Sequence, residues 1–548
     1  MKKLSFLLLL ILAFYRLFPE NPPIIPKKPR LIVEIIIEGL DKELLQRYWD
    51  KFSENGIKKI IKGGTFYPNA SYNYTFINNA SGYAIISTGT YPSYNGIIGK
   101  KWYDRLEKKQ INAVSDPNYK IIGINYNKTG VSPLKILNNA WSDYLMLANY
   151  KQSKVISIAL DDYAAVISAG QRPTAAYWFD TYSGNWISSS YYCDTLKQWV
   201  KNFNLKHIPD IYLNQIWQTT YPINEYTESL PDENSFEQGI NGQIAFPYNI
   251  NELNAKNSDY NILKYTPFAN TLTKDFALNA ITYENLGKDK YTDVIIISFE
   301  ATHYIAEKFG IRSVELEDAY IKLDKDIAHL LQQLEKNIGT GRFLLLLTST
   351  KGSCDYPIWL NDIGYKVSYF NKMRLMVVLN SYLRSIYGLK NWVEYVSGNS
   401  IYLNTMEIDK QKINYSIIET QIAQFLVQLN AIDYATPSLF AYGNIPDDYF
   451  FKKILNSYCP KRSGEIMFIL KPNVWIKENN TIPLSDCHSC WEYNATVPLV
   501  FYGWKSKPKY ISEKVDMTNL AYTLASIMNI DLPITNNAKL LLKIDKFY

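Results

Sequence analysis

Four stretches of this 548-residue chain join reactive side chains to a position from which they could act. Glu38-Gly39 follows the apolar run Leu31 to Ile37. Glu300 to His303 follows Val294 to Phe299, and Thr348 to Lys351 follows Phe343 to Leu347. In open α/β sheets the working site gathers at the carboxyl ends of the strands, so residues just past such runs matter most. The fourth stretch is Cys487-His488-Ser489-Cys490. Two thiols at this spacing suit zinc or redox chemistry. A single copy reads better as a loop with one local disulfide or two free thiols. With four His and five Cys in all, the chain is short of material for a metal enzyme that needs many imidazoles.

The elements that must position these residues are legible from hydrophobic period. The three runs are of strand length and mostly β-branched or leucine, as strands buried on both faces of a parallel sheet require. Val497 to Tyr502 has the same character. Between the second and third runs, Val314 to Glu335 repeats apolar residues at helical spacing. Gln411 to Leu429 does so too, and a further helix is expected over Met517 to Met528. Strands alternating with helices predict a doubly wound α/β core, mostly parallel, with helices on both faces. Tyr177 to Tyr192, rich in Tyr, Trp, Ser and Gly, and the polar segment Asn214 to Asn261 read as insertions. The expected division is a core of 31–150, 285–355 and 480–548, with cap insertions at 151–284 and 356–479.

Composition bounds the rest. A hydrophobic fraction of 47% with 20% charged residues excludes a disordered or fibrous chain. A net charge of +6 on this length argues for no nucleic-acid partner. Lys2 and Lys3 precede the apolar run Leu4 to Tyr15, the pattern of an export signal or uncleaved anchor over 1–18. Five prolines between Pro19 and Pro29 make 19–30 a stiff linker. There is no P-loop, no HExxH and no G-x-S-x-G elbow.

Several stretches resemble one family. They are Ser87-Thr88-Gly89-Thr90 through Trp102-Tyr103-Asp104, Thr266 to Leu272, Ser313 to Asp318, Pro460 to Met467, and Val497 to Gly503. Together they resemble the alkaline phosphatase superfamily, in particular the PafA-type periplasmic phosphatases and their phosphodiesterase and nucleotide-pyrophosphatase relatives. The likeness runs from about Pro29 to the carboxyl end. It implies an alkaline-phosphatase-like fold and two zinc ions about 4 Å apart, which bind phosphate, activate a threonine and stabilise the leaving oxygen. It also implies an asparagine and a lysine/arginine pair on the phosphoryl oxygens.

Carried over position by position, the resemblance puts Glu38 at the first-strand aspartate and Asn79 at the threonine nucleophile. Ser81 could replace the nucleophile only if the loop shifted. The phosphate-binding asparagine falls on Lys100 or Lys101, and the lysine and arginine fall on Asp161 and Tyr163. One metal site becomes Glu38, Asn79, Thr350 and Lys351. The other keeps donors that zinc accepts: His303, Glu307 and Cys487, or His488 after a one-residue slip. His303 and Glu307 are four apart and share a face of any helix that holds them. An amide cannot form a phospho-enzyme, and an ammonium where a dication would sit is repelled. Lys351 is therefore expected to pair with Glu38 in place of the metal.

These substitutions predict a catalytically inactive alkaline-phosphatase-like protein, with no catalytic residues. It would be exported and act as a binding or assembly subunit among envelope or membrane proteins of a bacterium. A tether through residues 4–18 is compatible with this. No cofactor is expected. The alternative is a divergent metal-dependent phosphatase or phosphodiesterase with one zinc at His303, Glu307 and Cys487. A third reading is a small-molecule site lined by Glu38, Asn79, Lys100, Asp161, Tyr163 and Lys351.

Overall fold

A computed structural model describes residues 25–257, 259–438, 448–477, 484–533 and 539–542. The expected signal or anchor, 1–18, and the first part of the linker lie outside them. Residues 25–30 do not stand off as a spacer. The Trp504 indole donates to the Pro26 carbonyl (2.7 Å), and Lys28 reaches the Met528 carbonyl (2.6 Å).

The elements that position the site are, in chain order, β1 (Leu31–Ile37), β2 (Thr65–Ser71), α1 (Asn79–Thr88), β3 (Val155–Ala159), α2 (Asp162–Ala169), β4 (Ala175–Asp180), β5 (Asn185–Ser189), β6 (Asp293–Phe299), α3 (Ala301–Phe309), α4 (Val314–Asn337), β7 (Phe343–Thr348), β8 (Thr496–Gly503) and α5 (Asn519–Met528). They build one 12-stranded sheet whose centre runs β2-β8-β7-β1-β6-β3-β4-β5. β7, β1, β6, β3 and β4 are mutually parallel. β8 and β5 run antiparallel to their neighbours. This is the expected mixed, mostly parallel α/β fold, although Val497 to Tyr502 proves to be an antiparallel strand.

Period-two alternation in β1 divides the core. Leu31, Val33, Ile35 and Ile37 pack into the cluster on one face, with Leu323, Ile327 and Leu330 of α4. Ile32 and Ile36 enter the cluster on the other face, with Ala164, Val166 and Ile167 of α2. Fully burying one such side chain contributes about 1.5–3 kcal/mol. Glu34 interrupts the run. Burial pushes its carboxyl up to about 8, opposed by the Trp141 indole N–H (3.1 Å), so it is neutral at pH 7 and tolerable in the core.

One boundary needs correction. The segment 151–284 is not all insertion, because β3, β4 and β5 are strands of the main sheet. The aromatic residues that suggested a cap, Tyr177, Trp178 and Trp186, are buried strand residues. Bulky aromatics fit a half-pleated buried surface as well as an interface. Among the described residues of 356–479 lies a separate four-stranded sheet (Val393–Ser397, Ser400–Leu403, Ile466–Leu470, Ile432–Pro437) with its own apolar cluster.

Candidate active site

The carboxyl ends of β1, β3, β6 and β7 converge, and they bring almost every predicted position together. α1 begins at Asn79, capped by the Asn78 side chain, which accepts from the Ser81 amide (2.9 Å). Asn79 thereby faces Glu38 at the end of β1. Its amide Nδ2 donates to Glu38 Oε2 (2.7 Å), and its Oδ1 accepts from the Thr350 hydroxyl (2.8 Å). Tyr163 donates to Glu38 Oε1 (3.0 Å). The whole group is buried. Ser81 is no substitute nucleophile. Its hydroxyl is fully buried, donates to the Ile97 carbonyl (2.7 Å), and is approached by Asn78 Nδ2 (2.9 Å).

Beside this group lies a carboxylate hub. Asp161 accepts from Lys100 (3.2 Å), Lys264 and Tyr304. Burial opposes ionisation here, but the two ammonium groups win and hold Asp161 well below the usual carboxylate range. Glu300 is fully buried and receives the Leu160 and Asp161 backbone N–H groups. Burial, then the charges of Glu38 and Asp161, push Glu300 well up. Burial likewise raises Glu38; His303 opposes this and Asp161 adds to it. Lys100 and Lys264 thus both pair with Asp161, Lys264 nearly buried and Lys100 with its side chain half exposed.

The second group is charged. His303 Nε2 lies 3.2 Å from Glu307 Oε1, one turn on along α3 as the spacing predicts. Asp486 completes it: Oδ1 accepts from Lys351 Nζ (2.6 Å), and Oδ2 lies 3.4 Å from His488 Nε2. One donor atom each from His303, Glu307 and Asp486 lies within 4.8 Å of the others. Burial opposes charge on His303, but Glu307 holds its pKa above the ordinary value. Glu307 and Asp486 are held below theirs despite burial, chiefly by His303 and by His488 with Lys351, respectively. His488 is pushed down by burial, against Asp486.

Three expectations are overturned here. Cys487 is not a ligand in reserve: it is bonded to Cys354, 133 residues away, which removes its thiolate. The pairing is not local, and Cys490 is free. Asp486, one residue earlier, takes the place assigned to Cys487. Lys351 does not pair with Glu38 but with Asp486. Of the lining of the third reading's cleft, Asn79 and Tyr163 each donate to Glu38. A cavity of about 660 Å³ opens elsewhere, lined by Asp41, Lys42, Asn69, Ser353, Cys354 and Trp475 among others.

The fit to a zinc pair can be read from these donors. At the first position one carboxylate, one amide and one hydroxyl bond each other, a donor set poorer than the carboxylates, imidazoles and thiolates zinc takes. The second trio has the donor chemistry of zinc, but the Lys351 ammonium already bonds one of its carboxylates. Sequence reasoning missed Asp486 and Lys264. Lys264 stands two residues before the Thr266 to Leu272 stretch, and Asp486 adjoins a cysteine of the CxxC, so both were close to residues already singled out.

Comparison with known proteins places this arrangement. The sequence profile for type I phosphodiesterase / nucleotide pyrophosphatase matches residues 32–495. The chain belongs to that family. It is 33% identical over 512 residues to a Myroides odoratus protein called a calcium-transporting ATPase, covering 92% of this chain and 93% of that one. It is 32% identical over 529 residues to the alkaline phosphatase PhoV of Synechococcus elongatus, covering 94% and 93%. It is 30% identical over 515 residues to the alkaline phosphatase PafA of Elizabethkingia meningoseptica, covering 92% of each. The crystal structure of wild-type PafA superposes with a TM-score of 0.88 at 28% identity, covering 95% of this chain and 99% of that one.

Proposed function

We propose that this family member has exchanged two-metal phosphoryl transfer for a closed network of side-chain bonds, and serves outside the cytoplasm as a binding or assembly subunit of the cell envelope. The observation that carries the reading is Asn79. It stands where the resemblance requires a hydroxyl, and both ends of its amide are spent, on Glu38 and on Thr350. Two further features support loss of turnover: Asp161 and Tyr163 stand where the resemblance requires a lysine and an arginine, and the Lys351 ammonium is bonded to Asp486. The charged and apolar start of the chain supports export, as does the Cys354–Cys487 disulfide, a bond suited to oxidising compartments.

A second reading has its own support. The relatives at 30% and 32% identity are named alkaline phosphatases, and His303, Glu307 and Asp486 could hold one zinc if Lys351 withdrew. Bound there, zinc would supply a Lewis acid and a more acidic water.

The deciding experiment is turnover of p-nitrophenyl phosphate and bis-p-nitrophenyl phosphate by the purified chain, with zinc measured in the same sample. The first reading expects rates at the blank, with or without added zinc. About one zinc per chain, with turnover lost in His303→Ala, establishes the second and removes the first.

A further inference from the structure

The end of the sheet opposite the candidate active site is basic. Each of five neighbouring strands has a cation within three residues of its end there. In sheet order these are Lys505 after β8, Arg342 before β7, Arg30 before β1, Lys290 before β6 and Lys154 before β3. Backbone bonds hold them in one row. The Arg30 N–H donates to the Arg342 carbonyl (2.7 Å), and the Asp293 N–H to the Arg30 carbonyl (3.0 Å). The Val294 N–H donates to the Lys154 carbonyl and the Trp504 N–H to the Phe343 carbonyl (both 2.8 Å). Neighbouring strands lie about 4.8 Å apart, so the row is about 20 Å long. Lys28 and Lys288 adjoin it, bonded to the carbonyls of Met528 and Asn337 at the ends of α5 and α4.

Cations gather at helix carboxyl ends for a local reason, the negative pole of the helix, and Lys28 and Lys288 have it. Others at this end do not. Lys27, Lys336 and Arg342 are exposed, and their side chains make no hydrogen bond or ion pair among the described residues. Nearby acids are engaged elsewhere: Asp293 with the amides of Gly287 and Lys154, Glu284 with Lys197, and Glu335 with Lys59. Asp289 is exposed, and its carboxylate accepts the Tyr291 N–H (2.8 Å). Exposed apolar groups stand among the cations. Ile25, 48% exposed, lies against Gly341, and Tyr510, 62% exposed, follows Lys509 beside the start of β2.

The chain enters the fold at this same end. Leu4 to Tyr15 is apolar and follows Lys2 and Lys3, and the stretch of chain from Tyr15 to Ile25 reaches at most about 36 Å. We propose that the basic end is a docking surface for an anionic phospholipid membrane, with the cations on lipid phosphates and Ile25 and Tyr510 in the interface. A short lipid-soluble element alone anchors reversibly, and a basic patch is the second signal that makes the hold stable. Lysine and arginine suit this place because their stems lie on apolar surface while their heads reach polar groups. An acidic protein would also satisfy the cations, but the apolar run brings this end to a membrane. The candidate active site, at the other ends of the strands, then points away from the bilayer and stays open to partners. The inference rests on the envelope placement proposed above and not on the loss of turnover.

The test adds the full chain to preformed vesicles and measures co-sedimentation. One set is phosphatidylcholine alone, the other phosphatidylcholine mixed with phosphatidylglycerol. Each lysine or arginine near an anionic surface strengthens binding about fivefold, so wild type should prefer the anionic vesicles by about a hundredfold or more at low salt. High salt should erase the preference. Lys336→Gln with Arg342→Gln removes two exposed cations that bond nothing in the fold. The thermal midpoint should hold while the preference falls about 25-fold. Lys366→Gln with Arg374→Gln, two exposed cations of the 356–479 segment, should keep it. Equal binding of wild type to both lipids, a preference unmoved by the first pair, or one lost equally with the second overturns the docking surface. Equal and strong binding to both would still leave the envelope placement standing, because the apolar start alone explains it. Capture by polyglutamate without any vesicle preference assigns the face to an acidic protein and overturns the proposal as well.

Discussion

The two halves of the candidate active site solve the same electrostatic problem in opposite ways. Around Glu38 the solution is neutral: an amide, a hydroxyl and a phenol bond a carboxylate that burial already biases toward its proton. Around Asp486 the solution is ionic, with Lys351, His488, His303 and Glu307 gathered within a few ångströms. A neutral network loses little when one member changes to a near isostere. An ionic one leaves an uncompensated charge behind. If metal chemistry survives anywhere, it survives on the ionic side, where the donors are intact and only an ammonium competes.

The sharpest way to break the contrast is Lys351→Met. It removes the buried cation from Asp486, and breaking one side of such a pair costs about 3–5 kcal/mol. Chemical denaturation of metal-free protein should show that loss, and zinc should recover part of it by taking the vacated charge. No loss would mean that Lys351 is not what holds Asp486. Next is the disulfide. Cys354 sits just past Lys351 and Cys487 just past Asp486, so the bond ties together the two loops that carry the pair. Reduction, or the double change Cys354→Ser with Cys487→Ser, should cost about 2–5 kcal/mol. An unchanged denaturation midpoint under reducing conditions would show that the loops hold without it. On the neutral side, Asn79→Ala should cost about 1–3 kcal/mol, since it strands Glu38 Oε2 and the Thr350 hydroxyl. Asn79→Thr should restore a hydroxyl yet no turnover on p-nitrophenyl phosphate, because Asp161 and Lys351 remain.

What could be read from sequence follows the same divide. β1, β6, β7 and α4 were legible because burial on both faces, or on one stripe, writes a strong period into the chain. Glu38, His303 and Thr350 lie within a few residues of such elements, whereas Asn79 is placed by the family resemblance and by no period. Asp486 and the Cys354–Cys487 bond were not legible: they sit in irregular chain, where no period fixes direction, and a disulfide across 133 residues leaves no mark in local spacing. The strands at 175–189 were hidden for another reason. Trp and Tyr mark interfaces and buried strands alike, and only pairing with β3 decides between them.

The smallest expected effect is also the one that separates the halves by sign. In metal-free protein, His303 has its folded pKa raised above the ordinary 6.5, because Glu307 outweighs burial. Its contribution to stability is complete below 6.5 and is lost as pH rises through the folded value. Glu307 and Asp486 are shifted down from the ordinary 4.5 and 3.8, so their contribution is present above those values and is lost as pH falls through the folded ones. These three groups together therefore contribute most between about pH 4.5 and 6.5, and less in alkaline solution, while His488, shifted down by burial, takes away stability below 6.5. Glu38, raised by burial, also weakens folding as pH rises; the His303 charge opposes that shift only while it is present, so its loss in alkaline solution acts in the same direction. The unfolding free energy of wild type minus that of His303→Gln should thus shrink from pH 6 to pH 9, by about 1 kcal/mol or less. A difference that stays flat, or grows, would place the charge of this half elsewhere than on the His303–Glu307 pair.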